Sequence, residues 1–298
     1  MGLTPLEPAP PGLVPGREVW LKREDGHELG AFKWRGALPA LESFRAAGAE
    51  AVVTASTGNH GAATAWAAAR LGLEAVVYVP EGASEAKTAL IEAQGAELRR
   101  AGADLDEAKE LGQRYARQSG APFFEDGAEP AQVLGYRAIG EEILAQAPSP
   151  PAAVVVPVGN GALVAGIGVG LGARASLVAV AAKEAPVMAL SYEAGRPVEC
   201  DRSATFADGL AVRVAIPWAV ELVNDAVDRF LLVSERELAD ATAAYFRAGI
   251  RAEGAAAAAL AALAHLDAEG PVVLVVTGRN IDDALLARTL DEPASFPN

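Results

Sequence analysis

Residues 152–172 read AAVVVPVGNGALVAGIGVGLG, a run in which Asn160 is the sole polar side chain. A hydropathy window flags it as a membrane span, but Pro157 and the glycines at 159, 161, 166, 168, 170 and 172 interrupt it. Breakers at that density argue instead for a buried strand, a tight turn and a closely packed helix.

The same strand, turn and helix unit recurs on either side. Upstream, AVVTA (51–55) leads to AATAWAAARLG, EAVVYVP (74–80) to SEAKTALIEAQG, and AELRRAG to DLDEAKELGQRYARQSG. PFFED (122–126) then gives a short strand and EPAQVLGYRAIGEEILAQ a helix. Downstream come SLVAVAA (176–182), DRFLLV (228–233), a helix capped by Ser234 with Glu237 three residues on, an Ala-rich helix from Glu253, and PVVLVVT (271–277). This alternation is that of βαβ units around parallel sheets, and two such series predict an α/β fold of two lobes with a cleft between them. The Pro-Ser-Pro-Pro at 148–151 marks the crossover, and no internal repeat or low-complexity tail interrupts the pattern.

Composition bounds the partners. A chain of 298 residues, 51% hydrophobic and 21% charged, holds one large or two medium globular domains. Its 39 acidic residues against 25 basic ones give a net charge of −14, which repels nucleic-acid phosphates. Cys200 is the only cysteine and the three histidines are scattered, so neither an internal disulfide nor a zinc cluster is expected. TPLEPAPPGLVPG (4–16) is broken by prolines and lacks the apolar stretch of a signal peptide. A reducing cytoplasm and no membrane are the expectation. With five lysines against twenty arginines, each lysine merits inspection.

Ligands of open parallel sheets bind outside the carboxyl ends of the strands. Three such exits are polar and punctuated by glycine: STGNHG (56–61), GNGAL (159–163) and TGRN (277–280). In GNGAL, backbone amides at a helix start can converge on an anion, although the spacing is not that of a dinucleotide fingerprint. A phosphate monoester fits it better, and a plain turn packing helix on sheet is the competing reading. STGNHG offers Ser56, Thr57, Asn59 and His60 to a carboxylate and a phenolic oxygen, or Ser56 and Thr57 as helix caps. Lys33, with Leu29, Phe32 and Trp34 nearby in sequence, is either a solvated lysine or an amine whose apolar surroundings favour its neutral form.

Taken in order, AFKWRGA after LKRED, STGNHG, the glycine loop, FADGLAV (206–212) and VVTGRN resemble the fold type II pyridoxal phosphate enzymes, in particular the serine/threonine dehydratase family. The resemblance spans residues 4 to 283 and implies a tryptophan synthase β-like architecture of parallel-rich twisted sheets flanked by helices. It implies residues 1–38 and 139–298 as a large cofactor-binding domain, 39–138 as a small mobile domain, and a homodimer.

Its residue roles follow position by position. Lys33 matches the lysine that forms the Schiff base with pyridoxal 5'-phosphate and later acts as the Cα base, and Phe32 the aromatic beside it. Asn59 matches the asparagine on the cofactor's phenolic oxygen, while Ser56, Thr57 and His60 lie in the loop that grips the substrate carboxylate. Gly159, Asn160, Gly161, Ala162 and Leu163 match the phosphate loop, Gly209 the backbone near the pyridine ring, and Thr277 the hydroxyl facing the ring nitrogen. Glu253 resembles a glutamate beside the cofactor and reads equally as a helix start.

The departures are specific. The family's run of four glycines is here interrupted by Asn160 and Ala162; Asn160 and TGRN lean toward threonine synthases, FADGLAV and AFKWRGA toward dehydratases. Ala31 stands where serine is common. Glu184 could match a cation ligand, but Met188 and Leu190 stand where its partner acid is expected, leaving a metal unassigned. The chain ends shortly after TGRN, without room for the regulatory domain of biosynthetic threonine deaminases. The implied activity is a lyase reaction, β-elimination from L-threonine, L-serine or a related 3-hydroxy amino acid to a 2-oxo acid and ammonia. The alternatives are phosphate elimination as in threonine synthase, racemisation with Thr57 as the second acid, and a cofactor-free binding protein.

Overall fold

Valine and alanine dominate two parallel-rich sheets. The computed structural model describes residues 2–298, apart from the side chains of residues 86 and 87. The strands are β1 Leu6–Pro8, β2 Val19–Arg23, β3 Ala51–Ala55, β4 Glu74–Val79, β5 Glu97–Arg100, β6 Ala153–Pro157, β7 Ser176–Ala182, β8 Arg229–Val233 and β9 Val272–Val276. The α-helices are α1 Trp34–Ala46, α2 Asn59–Leu71, α3 Glu85–Glu92, α4 Leu105–Ser119, α5 Pro130–Gln146, α6 Ala162–Leu171, α7 Val187–Ala194, α8 Pro217–Ala226, α9 Glu235–Arg247, α10 Gly254–Ala261 and α11 Asp283–Asp291. The chain divides into two compact units, Met1–Ala31 with Tyr136–Asn298, and Phe32–Gly135.

In the discontinuous unit the strand order is β1-β2-β9-β6-β7-β8. Every pair is parallel except the β1–β2 hairpin at the edge. β6 and β9 are buried at every residue, as strands covered on both faces must be. The Ala-rich α10 packs against β6 and β9, its alanines letting the helix approach the sheet closely. Gly254 at its start is required for the same reason, since a Cβ there would lie 2.6 Å from the Phe206 ring. Ser234 and Glu237 form the expected capping box at the start of α9.

In the continuous unit β3-β4-β5 form a parallel sheet. Val53, Val76 and Tyr78 pack there with Ala108 and Ala116 of α4.

Two segments differ from the sequence reading. PFFED forms no full strand: it joins β3 through the bridge Val53↔Phe123 and two hydrogen bonds, because Pro122 has no amide to donate and the chain turns away after Phe124. Conversely VWLKR is a strand, although Lys22 and Arg23 interrupt its apolar run. Lys22 is fully buried, its Nζ held by Glu142 at 2.5 Å, the Thr4 carbonyl at 2.7 Å and Gln146 Oε1 at 3.3 Å.

Candidate active site

In the continuous unit, the exit of β3 and the start of α2 fix Ser56, Thr57, Asn59 and His60. Ser56 accepts at Oγ from the Gly58 amide, 3.2 Å away, and α2 begins at Asn59. Gly61 must lack a side chain, because a Cβ would stand 2.8 Å from the Ser56 carbonyl. Ser56, Thr57 and Asn59 are half-buried at a helix start where amides point at solvent, an arrangement able to bind a carboxylate. His60 differs: its ring is buried, with Nε2 3.1 Å from Thr54 Oγ1 and 3.2 Å from the Phe124 carbonyl. It is engaged with the protein interior.

Lys33 precedes α1, whose amides at Gly36 and Ala37 bond its carbonyl. Its Nζ donates to Asp126 Oδ2 at 2.5 Å and lies 5.2 Å from the centre of the Phe32 ring. The amine therefore meets a carboxylate as well as the Phe32 ring. Asp126 was missed because PFFED reads as a plain strand. The signal was there: a run beside β3 must leave the sheet at the edge where STGNHG leaves it, and a carboxylate at that exit belongs with the loop.

In the discontinuous unit, β6 runs into Gly159-Asn160-Gly161 and α6. Gly161 has φ +92°, and a Cβ on it would lie 2.9 Å from both Met188 Cε and Val223 Cγ2. A Cβ on Gly159 would lie 2.4 Å from the Gly209 carbonyl, so GNGAL and FADGLAV meet backbone to backbone. Asn160 Oδ1 accepts from the Ala162 amide at 3.1 Å, which occupies one of the first amides of α6. The substitution that interrupts a glycine run thus acts as a local cap.

Thr277 ends β9. Its Oγ1 is buried and has no hydrogen-bond partner among the described residues. The loop after it is held by the segment that leads to Lys33: Ala31 bridges Gly278, the Arg279 amide bonds the Gly30 carbonyl at 2.8 Å, and Asn280 Nδ2 bonds the Leu29 carbonyl at 2.8 Å. Glu253 takes the N-cap position of α10, its amide bonded to the Gly278 carbonyl at 3.0 Å. Its carboxylate Oε1 lies 2.6 Å from where a Gly278 Cβ would be and 4.0 Å from where a Gly209 Cβ would be. The helix-start reading of Glu253 is thus met by its backbone, while its carboxylate borders Gly278 and Gly209.

Glu184 has its carbonyl bonded by the Ala204 amide, and burial, with Glu184 adding to it, pushes the nearby Glu235 carboxyl up. Met188 is buried against Gly161 and Leu190 is exposed. Among the described residues no group of three or more His, Cys, Asp or Glu could hold a metal ion, and no helix is long and apolar enough to cross a membrane.

These features suit a phosphorylated pyridine aldehyde. Taken unit by unit, an orphaned buried hydroxyl and a helix start opened by glycines whose Cβ positions are blocked can meet a polar ring atom and a phosphate, and an amine held by a carboxylate can condense with an aldehyde. Comparison with known proteins agrees. The chain is 34% identical over 289 residues to an L-threonine ammonia-lyase of Thermotoga maritima, covering 94% of this chain and 71% of that one. It superposes with TM-score 0.91 and 27% identity on the processed form of threonine deaminase isoform 2 from Solanum lycopersicum, covering 98% and 88% of the two chains. A maize serine racemase, at 23% identity and TM-score 0.88 over 99% and 93%, shares the fold. The model of the pyridoxal-phosphate dependent enzyme family matches residues 1–278, and the chain belongs to that family.

Proposed function

We propose that this enzyme eliminates water from L-threonine, L-serine or a related 3-hydroxy amino acid, giving a 2-oxo acid and ammonia. The observation that carries this reading is Thr277: the buried, unpartnered group at the end of β9 is a neutral hydroxyl. When bound, pyridoxal 5'-phosphate supplies an aldehyde for an amine and a ring that withdraws electrons from Cα. A hydroxyl facing the ring nitrogen does not enforce its protonation as a carboxylate would, which favours loss of the β-hydroxyl over transamination.

Lys33 would be the residue to which the cofactor attaches, and its free amine would be the base that takes the α proton. Ser56, Thr57 and the amides at the start of α2 bind the substrate carboxylate, and Asn59 donates to the phenolic oxygen. Gly159 to Leu163 would hold the phosphate, and Phe32, Gly209 and Glu253 are the further residues that would bind the cofactor. In the same reading residues 39–138 form the mobile domain, and the enzyme is a cytoplasmic homodimer.

Two results check this. From one L-substrate, 2-oxo acid should form well ahead of the D-isomer, because the Thr57 methyl stiffens and crowds the hydroxyl that is the candidate to return a proton to the opposite face. D-isomer forming faster would make the protein a racemase, and turnover of O-phosphohomoserine in preference to threonine would make it a threonine synthase. Thr277→Asp should raise transamination relative to elimination. An unchanged product ratio with fully bound cofactor would remove Thr277 from the ring nitrogen.

A further inference from the structure

His60 sits behind Lys33 with one nitrogen unused. Thr54 Oγ1 donates its only proton to the Phe124 carbonyl, 2.8 Å away, so it meets the His60 ring as an acceptor. Nε2 therefore faces two acceptors, Thr54 Oγ1 at 3.1 Å and the Phe124 carbonyl at 3.2 Å, and must carry a hydrogen. In the neutral ring Nδ1 is then a bare lone pair. It is buried, has no hydrogen bond, and lies 3.4 Å from Asp126 Oδ1. Two lone pairs face each other across that gap, and a proton is what the pair lacks.

Asp126 thus presents one oxygen to the Lys33 ammonium and the other to the His60 ring. Oδ2 takes the Lys33 ammonium at 2.5 Å, while Oδ1, fixed by Gln132 Nε2 at 2.8 Å, is turned to His60. The Gly127 amide bonds Gln132 Oε1 at 2.8 Å and locks the amide that holds the carboxylate.

The charges around the ring act in opposite directions. Burial lowers the proton affinity of His60, Asp126 raises it, Lys33 lowers it, and the Phe124 carbonyl and Glu125 raise it, with Glu125 itself paired to Lys109 Nζ at 2.6 Å. Burial works against ionisation of Asp126, but the Lys33 ammonium, His60 and the hydrogen bonds from Lys33 and Gln132 hold its carboxyl well below the usual carboxylate range. It stays charged and needs a counter-charge.

We propose that Lys33 and His60 are alternating counter-ions of Asp126: when Lys33 gives up its charge, His60 takes a proton from solvent at Nδ1 and the 3.4 Å gap becomes an ion pair. Resting on the reading of Lys33 as the base, this assigns His60 and Asp126 as positioning residues. A neutral Lys33, the form able to accept the α proton, then leaves no half-buried carboxylate unpaired. His60 is thereby removed from the substrate-gripping set to which its motif assigned it.

The test uses the cofactor-free full chain and reads protonation directly. The imidazole resonances of His27, His60 and His265 are titrated by NMR, with His60→Gln identifying the one in question. In Lys33→Met, His60 should bind its proton at least about tenfold more tightly than in the wild type, since a neighbouring positive charge is gone while Asp126 remains. Lys33→Gln, which keeps a donor for Asp126 if Lys33→Met folds poorly, should behave likewise. Lys33→Arg retains the charge and should stay within about twofold of wild type. Adding Asp126→Asn to either neutral variant should abolish the gain. No tightening in Lys33→Met and Lys33→Gln, or a gain that survives Asp126→Asn, overturns the proposal. Its failure is separable from that of the active-site reading, which falls if the cofactor does not attach at Lys33, whatever His60 does.

Discussion

Lys33→Ala is expected to lower elimination turnover by about 10⁴-fold or more, the scale of removing a positioned base that is also the attachment point. The fold should persist, because the Lys33 side chain is 16% exposed and its partner Asp126 29%. Loss of such a partly solvated pair costs on the order of 1 kcal/mol. Borohydride treatment of the wild-type holoenzyme followed by peptide mapping should place the pyridoxyl group on Lys33. A label on Lys22 would sink the assignment, and retained turnover in Lys33→Ala would do the same from the kinetic side.

Lys22→Met should act in the opposite way, on stability. Lys22 is a strand residue with no exposed surface, and its ammonium answers the Glu142 carboxylate, the Thr4 carbonyl and Gln146. Removing one partner of a buried ion pair leaves the other charge in the interior, a loss of about 3–5 kcal/mol. Urea unfolding of the purified variant should show a midpoint shift of that size with little change in slope. Lys22→Met combined with Glu142→Leu should recover much of the loss, because a matched apolar pair no longer strands a charge. A single variant within 1 kcal/mol of wild type would show that Glu142 is not carried as a charge.

The contrast between these lysines shows where the sequence could be read and where it could not. Apolar runs bounded by glycine announced β3, β4, β6, β7 and β9, since strands covered on both faces need valine and alanine throughout. The glycine-rich exits pointed to positions where the structure does bring backbone against backbone, at Gly159 with Gly209. β2 escaped, because a Lys-Arg pair in a short run reads as surface until Glu142, 120 residues away, is known to lie against it. Asp126 escaped for a similar reason: nothing local separates a carboxylate at a loop edge from one facing Lys33, 93 residues distant. His60 was noticed for its residue type, but the acceptors that face its Nε2, Thr54 and the Phe124 carbonyl, emerge only from the packing of β3 beside 122–126.

The placement of β9 has a consequence for how the protein comes into being. β2 is made early and β9 some 250 residues later, yet they are parallel neighbours, joining Val19 to Val272 through Arg23 to Val276. During synthesis Phe32–Gly135 can collapse on its own, whereas β2 waits for a partner that emerges some 250 residues later. Ala31 waits too, for Gly278. Closing so long a loop costs conformational entropy before any contact repays it. The segment that leads into Lys33 is therefore fastened to Gly278 and Arg279 only once β9 has left the ribosome, and a chain stalled before β9 holds the lysine without that anchor.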